Sequence, residues 1–318
     1  MNLWEKILSV YILTAICYIY IDCDSISDDS ITFWVMPGSG LPIFNSSYNQ
    51  SLSSRGCNSA GKFFIIIHGW LEGWHTEWVQ DLISNLTIYR GGCIIFMDYS
   101  NYSVNPNYFL LTPQFQNISD KLLRFMEQLD GEGFDFDNGY IFGFSFGAWL
   151  AIKTAKTFGT KRFSQIDVCD PAGPGFDLGV DLGDHSLAAQ NVQCIHTNSG
   201  GLGTTIKNCS QNWHMGICGT LQVGAQPFPK GHHGLCPYYY TAAFKHDFIA
   251  WQNIYACYST RAVANYSVDF RMGYMETLER KMSVIGDLFS PTSMFYPYNE
   301  IPGRIKTANA TTVESNDI

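Results

Sequence analysis

The strongest constraint on the fold is a series of short apolar runs that alternate with segments of helical periodicity. The runs at 62–68 (KFFIIIH) and 93–98 (CIIFMD) are unbroken and rich in β-branched and aromatic residues, as expected for strands buried on both faces. Further strands are predicted at 140–143, 164–169 and 191–197, and helices at 113–129 and 148–158. This alternation predicts an α/β fold with a mostly parallel central sheet and helices on both faces. In such sheets, reactive groups collect at the carboxyl ends of the strands.

Composition excludes several classes of protein. The 318 residues carry a formal net charge of −9, and only 15 % of them are charged while 46 % are hydrophobic. Nucleic acid is therefore not an expected partner, because the chain lacks a Lys/Arg-rich stripe. Intrinsic disorder would need the opposite balance of charge and hydrophobicity. We expect one globular domain over 24–300, opening with loops and edge strands over 24–61.

The N-terminal segment is predicted to be a signal peptide spanning residues 1–23. A charge-free stretch, ILSVYILTAICYIYI, follows MNLWEK, and fifteen residues are too few for a comfortable membrane span. Cleavage is expected between Cys17 and Cys23, and the alternative is an uncleaved N-terminal anchor. At the other end, residues 301–318 form a polar tail that we expect to be mobile.

Glycosylation sequons and cysteines also indicate a secreted, extracellular protein. Eight cysteines remain after removal of the signal peptide, an even number suited to an oxidising compartment, and none has zinc-site spacing. The disulfide candidates are Cys57, Cys93, Cys169, Cys194, Cys209, Cys218, Cys236 and Cys257. The glycosylation candidates are Asn45, Asn49, Asn85, Asn101, Asn117, Asn208, Asn265 and Asn309.

The motif Gly143-Phe144-Ser145-Phe146-Gly147 follows a predicted strand and opens a predicted helix. G-x-S-x-G in that context is typical of a nucleophile elbow, in which a sharp turn exposes the serine above the sheet. The alternative is an ordinary glycine-rich turn. A serine nucleophile also needs a base, an acid that orients the base, and donors for the oxyanion.

The oxyanion donors are predicted to be two backbone N–H groups. One is that of Phe146, directly after the serine, and the other is that of Trp70, where His68-Gly69-Trp70 closes a buried strand. His68 itself is expected to be structural, because it ends a buried strand.

Asp170 is the predicted acid, because it ends a strand and precedes a Pro/Gly turn. Asp167 lies within that strand. Asp98 ends another strand but precedes Ser145, contrary to the order Ser, Asp, His of α/β hydrolases, and is expected to be structural. The residues alone do not select the base, and His232 and His233 share one loop. The downstream candidates are His185, His196, His214, His232, His233 and His246.

Several blocks together resemble the pancreatic-lipase family of secreted neutral lipases and phospholipases A1. They are FFIIIHGW, MDYS at 97–100, GFSFGAWLA, VCDPAGPGF at 168–176, CIHTNSG at 194–200, RMGY at 271–274 and the SPTSMFYPY run. The resemblance covers roughly residues 57–300 and implies an α/β-hydrolase fold. It also implies a base at His233, counted back from Tyr239-Tyr240-Thr241, which completes the triad Ser145, Asp170 and His233.

The chain departs from the family pattern at several positions. Phe144 and Trp149 stand where the family usually has histidines, and Gly231 and Leu235 replace a Cys and an Arg beside the base. After PAGPGF the family often has a calcium-binding loop with acidic residues and an arginine. This chain has three aspartates there but no arginine; they are Asp177, Asp181 and Asp184. Calcium is therefore unsupported, and no cofactor or metal is predicted. Colipase dependence is not expected, because the chain has no room for the C-terminal β-sandwich.

The predicted function is a secreted serine carboxylic-ester hydrolase acting on lipid esters at a membrane, micelle or droplet surface. Consecutive disulfide pairing is our hypothesis, and a Cys209–Cys218 pair would close a short lid, which in this family accompanies phospholipase A1 activity. Phospholipid and triacylglycerol are ranked close together. Alternatives are a non-catalytic lipid-binding or yolk-like storage protein on the same fold, and an esterase for small soluble esters.

Overall fold

The computed structural model describes residues 30–38, 43–46, 51–177, 183–227, 231–251, 266–274 and 286–299. The predicted signal peptide, the polar tail, Asn49, Asn265, Asn309, Asp181 and Cys257 lie outside these residues. Within them, no helix has both the length and the apolarity to cross a membrane. The domain boundaries at 24 and 300 stay predictions.

One sheet organises the described part of the chain. Its strands are β1 (Thr32–Met36), β2 (Phe44–Ser46), β3 (Phe63–Ile67), β4 (Cys93–Asp98), β5 (Gly139–Phe144), β6 (Phe163–Cys169), β7 (Ala189–His196), β8 (Gln211–Met215), β9 (Ile249–Trp251), β10 (Tyr266–Arg271) and β11 (Gly286–Ser290). Their spatial order is β10-β9-β11-β8-β7-β6-β5-β3-β4-β1-β2. The seven strands from β11 to β4 in that order are mutually parallel, and the strands at both edges are antiparallel. The predicted mostly parallel sheet is confirmed.

Helices cover both faces of the sheet, as predicted. They are α1 (Glu77–Tyr89), α2 (Ser100–Ser103), α3 (Phe115–Gly131), α4 (Phe146–Phe158) and α5 (Leu235–Ala242). All five residues of β3 are buried, and they alternate between the faces: Phe63, Ile65 and Ile67 pack in the core under α3 and α4. Phe64 and Ile66 pack in the second core, with α1 and α5. A strand buried on both sides needs this uninterrupted apolar run.

The parallel strands bring their carboxyl ends to one edge of the sheet. Ser145 directly follows β5 and Asp170 directly follows β6, and these two strands are neighbours in parallel register. The loop that follows β3 reaches the same edge from the other side of β5. The sheet therefore gathers the predicted nucleophile, acid and oxyanion loop.

Candidate active site

Ser145 occupies a strained turn between β5 and α4. Its φ of 56° and ψ of −118° lie in a region that L-residues rarely adopt, at a cost on the order of 1–3 kcal/mol. The flanking glycines are required by space: a Cβ on Gly143 would lie 2.6 Å from the Gly147 carbonyl oxygen, and one on Gly147 only 2.2 Å from that of His68. The turn thus has the geometry of a nucleophile elbow.

His233 connects the serine to a buried carboxylate. Its Nε2 lies 2.8 Å from Ser145 Oγ, and its Nδ1 lies 2.6 Å from Asp170 Oδ2. Both distances are within the range required for proton transfer. Because a carboxylate only accepts hydrogen bonds, Nδ1 carries the proton and Nε2 is free to accept from the serine hydroxyl. The phenyl ring of Phe144 packs on the imidazole, with ring centroids 4.8 Å apart.

The backbone after β7 orients Asp170. Asp170 Oδ1 accepts hydrogen bonds from the N–H groups of Thr197 (2.8 Å) and Asn198 (3.1 Å), which leaves Oδ2 to His233. Sequence reasoning missed Gly203: a Cβ there would lie 2.5 Å from both Asp170 carboxylate oxygens. Only glycine fits the position beside the acid. Nothing in the glycine-rich sequence Gly200-Gly201-Leu202-Gly203 indicated that its last glycine contacts Asp170.

The predicted consecutive disulfide pairing is correct only for Cys57–Cys93. Cys169 bonds to Cys236 and Cys194 to Cys209, so the predicted Cys169–Cys194, Cys209–Cys218 and Cys236–Cys257 pairs are wrong. Consecutive order failed because the end of β6 packs against α5, which is distant in sequence, and Cys194 on β7 pairs with the segment before β8. Cys218 is disulfide-bonded as well. Because Cys209 bonds to Cys194, the chain has no short lid closed by a Cys209–Cys218 bond, and the expected link to phospholipase A1 activity is lost.

The rival histidine of the same loop has another role. His232 Nδ1 accepts the backbone N–H of Gln222 at 2.9 Å. His68 is fully buried, with Nδ1 2.8 Å from Gly69 O and Nε2 accepting the Tyr99 N–H at 3.2 Å, and burial lowers its pKa to about 4. The ring of His185 packs on Trp149, those of His196 and His214 on each other, and that of His246 on Tyr296.

The rival carboxylates are engaged elsewhere. Asp98 Oδ1 accepts the Ser100 N–H at 2.9 Å and lies 3.8 Å from His68 Nε2. Asp167 is buried in a polar network with Tyr140 and Tyr240, and burial raises its pKa to about 6. Asp98 was expected to be structural, and its contacts agree with that interpretation.

The loop after β3 lies against the serine. A Cβ on Gly69 would lie 3.1 Å from Ser145 Cβ, so this backbone borders the nucleophile. The N–H of Phe146 belongs to the first turn of α4, where N–H groups have no carbonyl partner within the helix. Trp70 and Phe146 therefore remain the candidate oxyanion donors.

Glu72 supports this loop, and sequence reasoning missed it. Its Oε2 accepts the Gly69 N–H at 2.8 Å, and its Oε1 accepts Trp78 Nε1 at 2.7 Å. One carboxylate thus links the loop to α1. The available signal was a lone acidic residue within the aromatic segment after His68-Gly69-Trp70.

A cavity of about 420 Å³ opens above Ser145 and His233. Its walls are mainly aromatic and aliphatic, and its described lining includes Glu72 but neither Lys nor Arg. The principal apolar contributors are Trp70, Trp78, Tyr108, Phe109, Phe144 and Tyr238. This composition suits a long apolar chain in an ester.

Calcium and glycan candidates are only partly placed. Asp177 accepts a hydrogen bond from the Thr204 hydroxyl, and Asp184 Oδ1 accepts the Ser186 N–H at 2.9 Å; among the described residues, no group of three or more metal-ligating side chains forms.

Asn85 is 8 % exposed on α1 and its Nδ2 donates to Thr241 O at 3.2 Å, so the fold disfavours it as a glycan acceptor. Asn45, Asn101 and Asn208 are exposed, and Asn117 is half-buried.

The fold and this geometry define the chain as an α/β-hydrolase-type domain with a serine elbow. The family model described as Lipase matches residues 44–216, more than half of the chain. Lipoprotein lipase of Rattus norvegicus is 30 % identical over 133 residues, which cover 40 % of this chain and 27 % of that protein. Lipase member H-A of Xenopus laevis is 27 % identical over 148 residues, covering 46 % and 32 % respectively.

The chain belongs to the lipase family, in agreement with its resemblance to the pancreatic lipases. The matched region spans only about a quarter to a third of these relatives' lengths. Among solved structures, an α/β serine hydrolase homologue from Coxiella burnetii is 14 % identical, covers 54 % of this chain and 71 % of its own, and superposes with a TM-score of 0.34. That overlap is too loose to support an argument about function.

Proposed function

We propose that this protein is a serine carboxylic-ester hydrolase that acts on lipid esters. The observation that carries the proposal is the hydrogen-bonded series Ser145 Oγ, His233 Nε2, His233 Nδ1 and Asp170 Oδ2 at the floor of an apolar cavity. Membership of the lipase family supports the same class of reaction.

The reaction proceeds through an acyl-enzyme. Ser145 Oγ attacks the ester carbonyl carbon while His233 Nε2 takes the hydroxyl proton, and the carbonyl oxygen becomes an oxyanion held by the N–H groups of Trp70 and Phe146. His233 then returns the proton to the departing alcohol. Water, deprotonated by His233, attacks the acyl carbon and releases the fatty acid and free Ser145. Asp170 keeps the proton on Nδ1 and stabilises the charged imidazolium.

Two substrate classes fit the apolar cavity: the acyl chains of phospholipids and those of triacylglycerols. Both carry a carboxylic ester next to a long hydrocarbon chain. The cavity described here favours neither, since its lining selects for the hydrocarbon they share. Secretion is part of the proposal, and the three disulfides described support it because such bonds persist in oxidising compartments.

The first experiment compares the purified protein with its Ser145→Ala variant on sn-1-labelled phospholipid and on triacylglycerol emulsion. Loss of the nucleophile should reduce turnover on the order of 10⁶-fold. Ser84→Ala, an exposed serine on α1, is the matched control and should retain full activity. The preferred lipid distinguishes phospholipase A1 from neutral lipase.

Equal turnover by Ser145→Ala and the parent protein would refute the proposal. Absence of turnover on both lipids by the folded parent would instead favour a lipid-binding or storage protein. Turnover without a rate increase when the substrate aggregates would indicate an esterase for soluble esters.

A further inference from the structure

A carboxylate that the mechanism does not use lies inside the fold, on the strand that leads to the candidate acid. Asp167 of β6 is fully buried, and its described hydrogen-bond partners are all uncharged. Burial of a charge without a cation costs free energy, and this desolvation raises the pKa of Asp167 to about 6. A carboxylate retained in such a place needs compensating contacts.

Each oxygen of Asp167 accepts two hydrogen bonds, which uses its lone-pair sites. Oδ1 accepts from the side-chain amides of Gln165 on β6 (2.7 Å) and Gln193 on β7 (2.8 Å). Oδ2 accepts from the hydroxyl groups of Tyr240 on α5 (2.7 Å) and Tyr140 on β5. Because the backbone ladder already joins β5, β6 and β7, only the bond to Tyr240 connects β6 to an element outside the sheet.

This bond is the second of two attachments between β6 and α5; the first is the disulfide Cys169–Cys236. Asp167 and Cys169 are two residues apart and share one face of β6, about 7 Å apart along the strand. Cys236 and Tyr240 are four residues apart and share one face of α5, about 6 Å apart along the helix. Two attachments at matching spacing fix both the position and the direction of the helix, whereas a single bond would let it pivot.

The direction of α5 sets the position of the candidate base. His233 directly precedes the N-cap of this helix, and its carbonyl oxygen accepts the Cys236 N–H at 3.3 Å. Because its backbone is bonded to the first turn, a pivot of α5 would displace the imidazole from Ser145 and Asp170. A displacement of about 1 Å costs roughly a hundredfold in rate where reacting groups must be aligned.

We propose that Asp167 is a positioning residue: through the Tyr240 hydroxyl, it holds α5 in the direction that places the His233 imidazole at the nucleophile. The inference rests on the proposed function, since it concerns the same reaction. Neither Asp167 nor Tyr240 is among the described residues that line the cavity above Ser145. Their contribution is therefore to the rate of acyl transfer and not to substrate binding.

Two tyrosines that donate to the same carboxylate oxygen provide a matched test. Tyr240→Phe removes the hydroxyl on α5, and the control Tyr140→Phe removes the hydroxyl on β5. Both rings are buried and pack on a phenylalanine ring, with centroids 4.4 Å and 4.8 Å apart respectively, so each variant keeps its ring packing. Since each variant loses one hydrogen bond to Asp167, a purely structural role of the carboxylate predicts equal effects.

The measurement is the rate at which a fluorophosphonate probe labels Ser145, which requires an activated serine but not the natural lipid. Tyr240→Phe should lower the maximal labelling rate about tenfold with an unchanged half-saturating probe concentration, and Tyr140→Phe should keep the parent rate. Labelling is measured at about pH 8, where a carboxyl group with a pKa of about 6 is ionised, and well below the melting temperature of each variant.

A double variant tests whether Tyr240 acts through Asp167. Asp167→Ala alone should lower the labelling rate at least as much as Tyr240→Phe does. Adding Tyr240→Phe to Asp167→Ala should cause no further loss, because the bond is already absent. If Asp167→Ala does not fold, the two tyrosine variants decide the question by themselves.

Two results would overturn this inference alone. One is an equal labelling rate for Tyr240→Phe and Tyr140→Phe. The other is a further loss of about tenfold when Tyr240→Phe is added to Asp167→Ala. A parent protein that the probe does not label would instead refute the proposed function, and the inference with it.

Discussion

At the scale of single residues, the candidate site depends on two further positioning residues. One matters because it lacks a Cβ, and the other because its carboxylate oxygens accept hydrogen bonds. Gly203 leaves room for the Asp170 carboxylate, and Glu72 holds the loop that carries Trp70. Neither residue takes part in acyl transfer, yet each fixes the position of a group that does. Reactions that depend on alignment lose about a hundredfold in rate from a displacement of 1 Å.

Gly203→Ala should displace Asp170 and reduce kcat on the order of 100-fold, because its Cβ would lie 2.5 Å from the carboxylate oxygens. The measurement is kcat and KM on a soluble short-chain ester, and KM should change little. Gly131→Ala is the matched control, since no atom lies within 4 Å of the Cβ it would add. Unaltered kcat in Gly203→Ala would show that Asp170 does not require this space.

Glu72→Gln should lower kcat about tenfold. Both oxygens of Glu72 accept N–H groups, and an amide would turn its own NH₂ toward one of those donors, which loosens the loop after β3. An effect confined to the oxyanion would reduce kcat and kcat/KM equally. Glu127→Gln, an exposed position on α3, makes the same chemical change as a control. A loss seen only in the melting temperature would contradict the assigned role.

At the scale of elements, a disulfide ties the strand end that carries the acid to the helix that follows the base. Cys169 immediately precedes Asp170 at the end of β6, and Cys236 lies in the first turn of α5, three residues after His233. The bond therefore sets the distance between acid and base. The Cys194–Cys209 bond, in contrast, joins β7 to the segment before β8, away from the imidazole.

Removing Cys169–Cys236 by a double serine substitution should reduce activity more than removing Cys194–Cys209 in the same way. Chain entropy alone predicts that the free energy of unfolding falls by about 4 and about 3 kcal/mol, respectively, for sequence separations of 67 and 15 residues. The two variants should therefore differ in stability by only about 1 kcal/mol. Each variant is assayed on a soluble ester well below its own melting temperature. Equal specific activities of the two folded variants would argue against a positioning role for Cys169–Cys236.

At the scale of the whole molecule, burial of ionisable groups makes stability depend on pH. Desolvation lowers the pKa of His68, His185 and His196 to about 4, and raises that of Asp167 to about 6. The histidines contribute stability above their unfolded pKa of about 6.5 and lose it as pH falls toward 4. Asp167 acts in the opposite direction, because its protonated form is favoured in the folded state and stability falls as pH rises from about 4 to about 6.

The three histidines outweigh the single aspartate. Each group changes stability on the order of 3 kcal/mol, so the melting temperature should fall as pH is lowered from about 6.5 to about 4. Thermal melts across this range check the direction, and His185→Gln should flatten the dependence while His75→Gln, an exposed histidine, should not. A melting temperature that stays constant or rises toward pH 4 would contradict this prediction.

The sequence by itself determined the features that depend on neighbouring residues. Unbroken apolar runs predicted the buried parallel strands, since a strand covered on both faces must be apolar at every position. The glycines around Ser145 predicted the elbow, since the turn leaves no room for a Cβ on either side. The order of strand ends selected Asp170 over Asp98, and the family resemblance pointed to His233.

Only the tertiary structure decided the features that join distant segments. It directed His233 to Ser145 and His232 to Gln222, although the two histidines are adjacent in sequence. It paired Cys169 with Cys236. It also placed Gly203 beside the Asp170 carboxylate and let Glu72 join the loop after β3 to α1. Contacts of this kind follow from which strands are neighbours in the sheet and from how the loops pack at its edge. Local patterns of residues do not encode those distances.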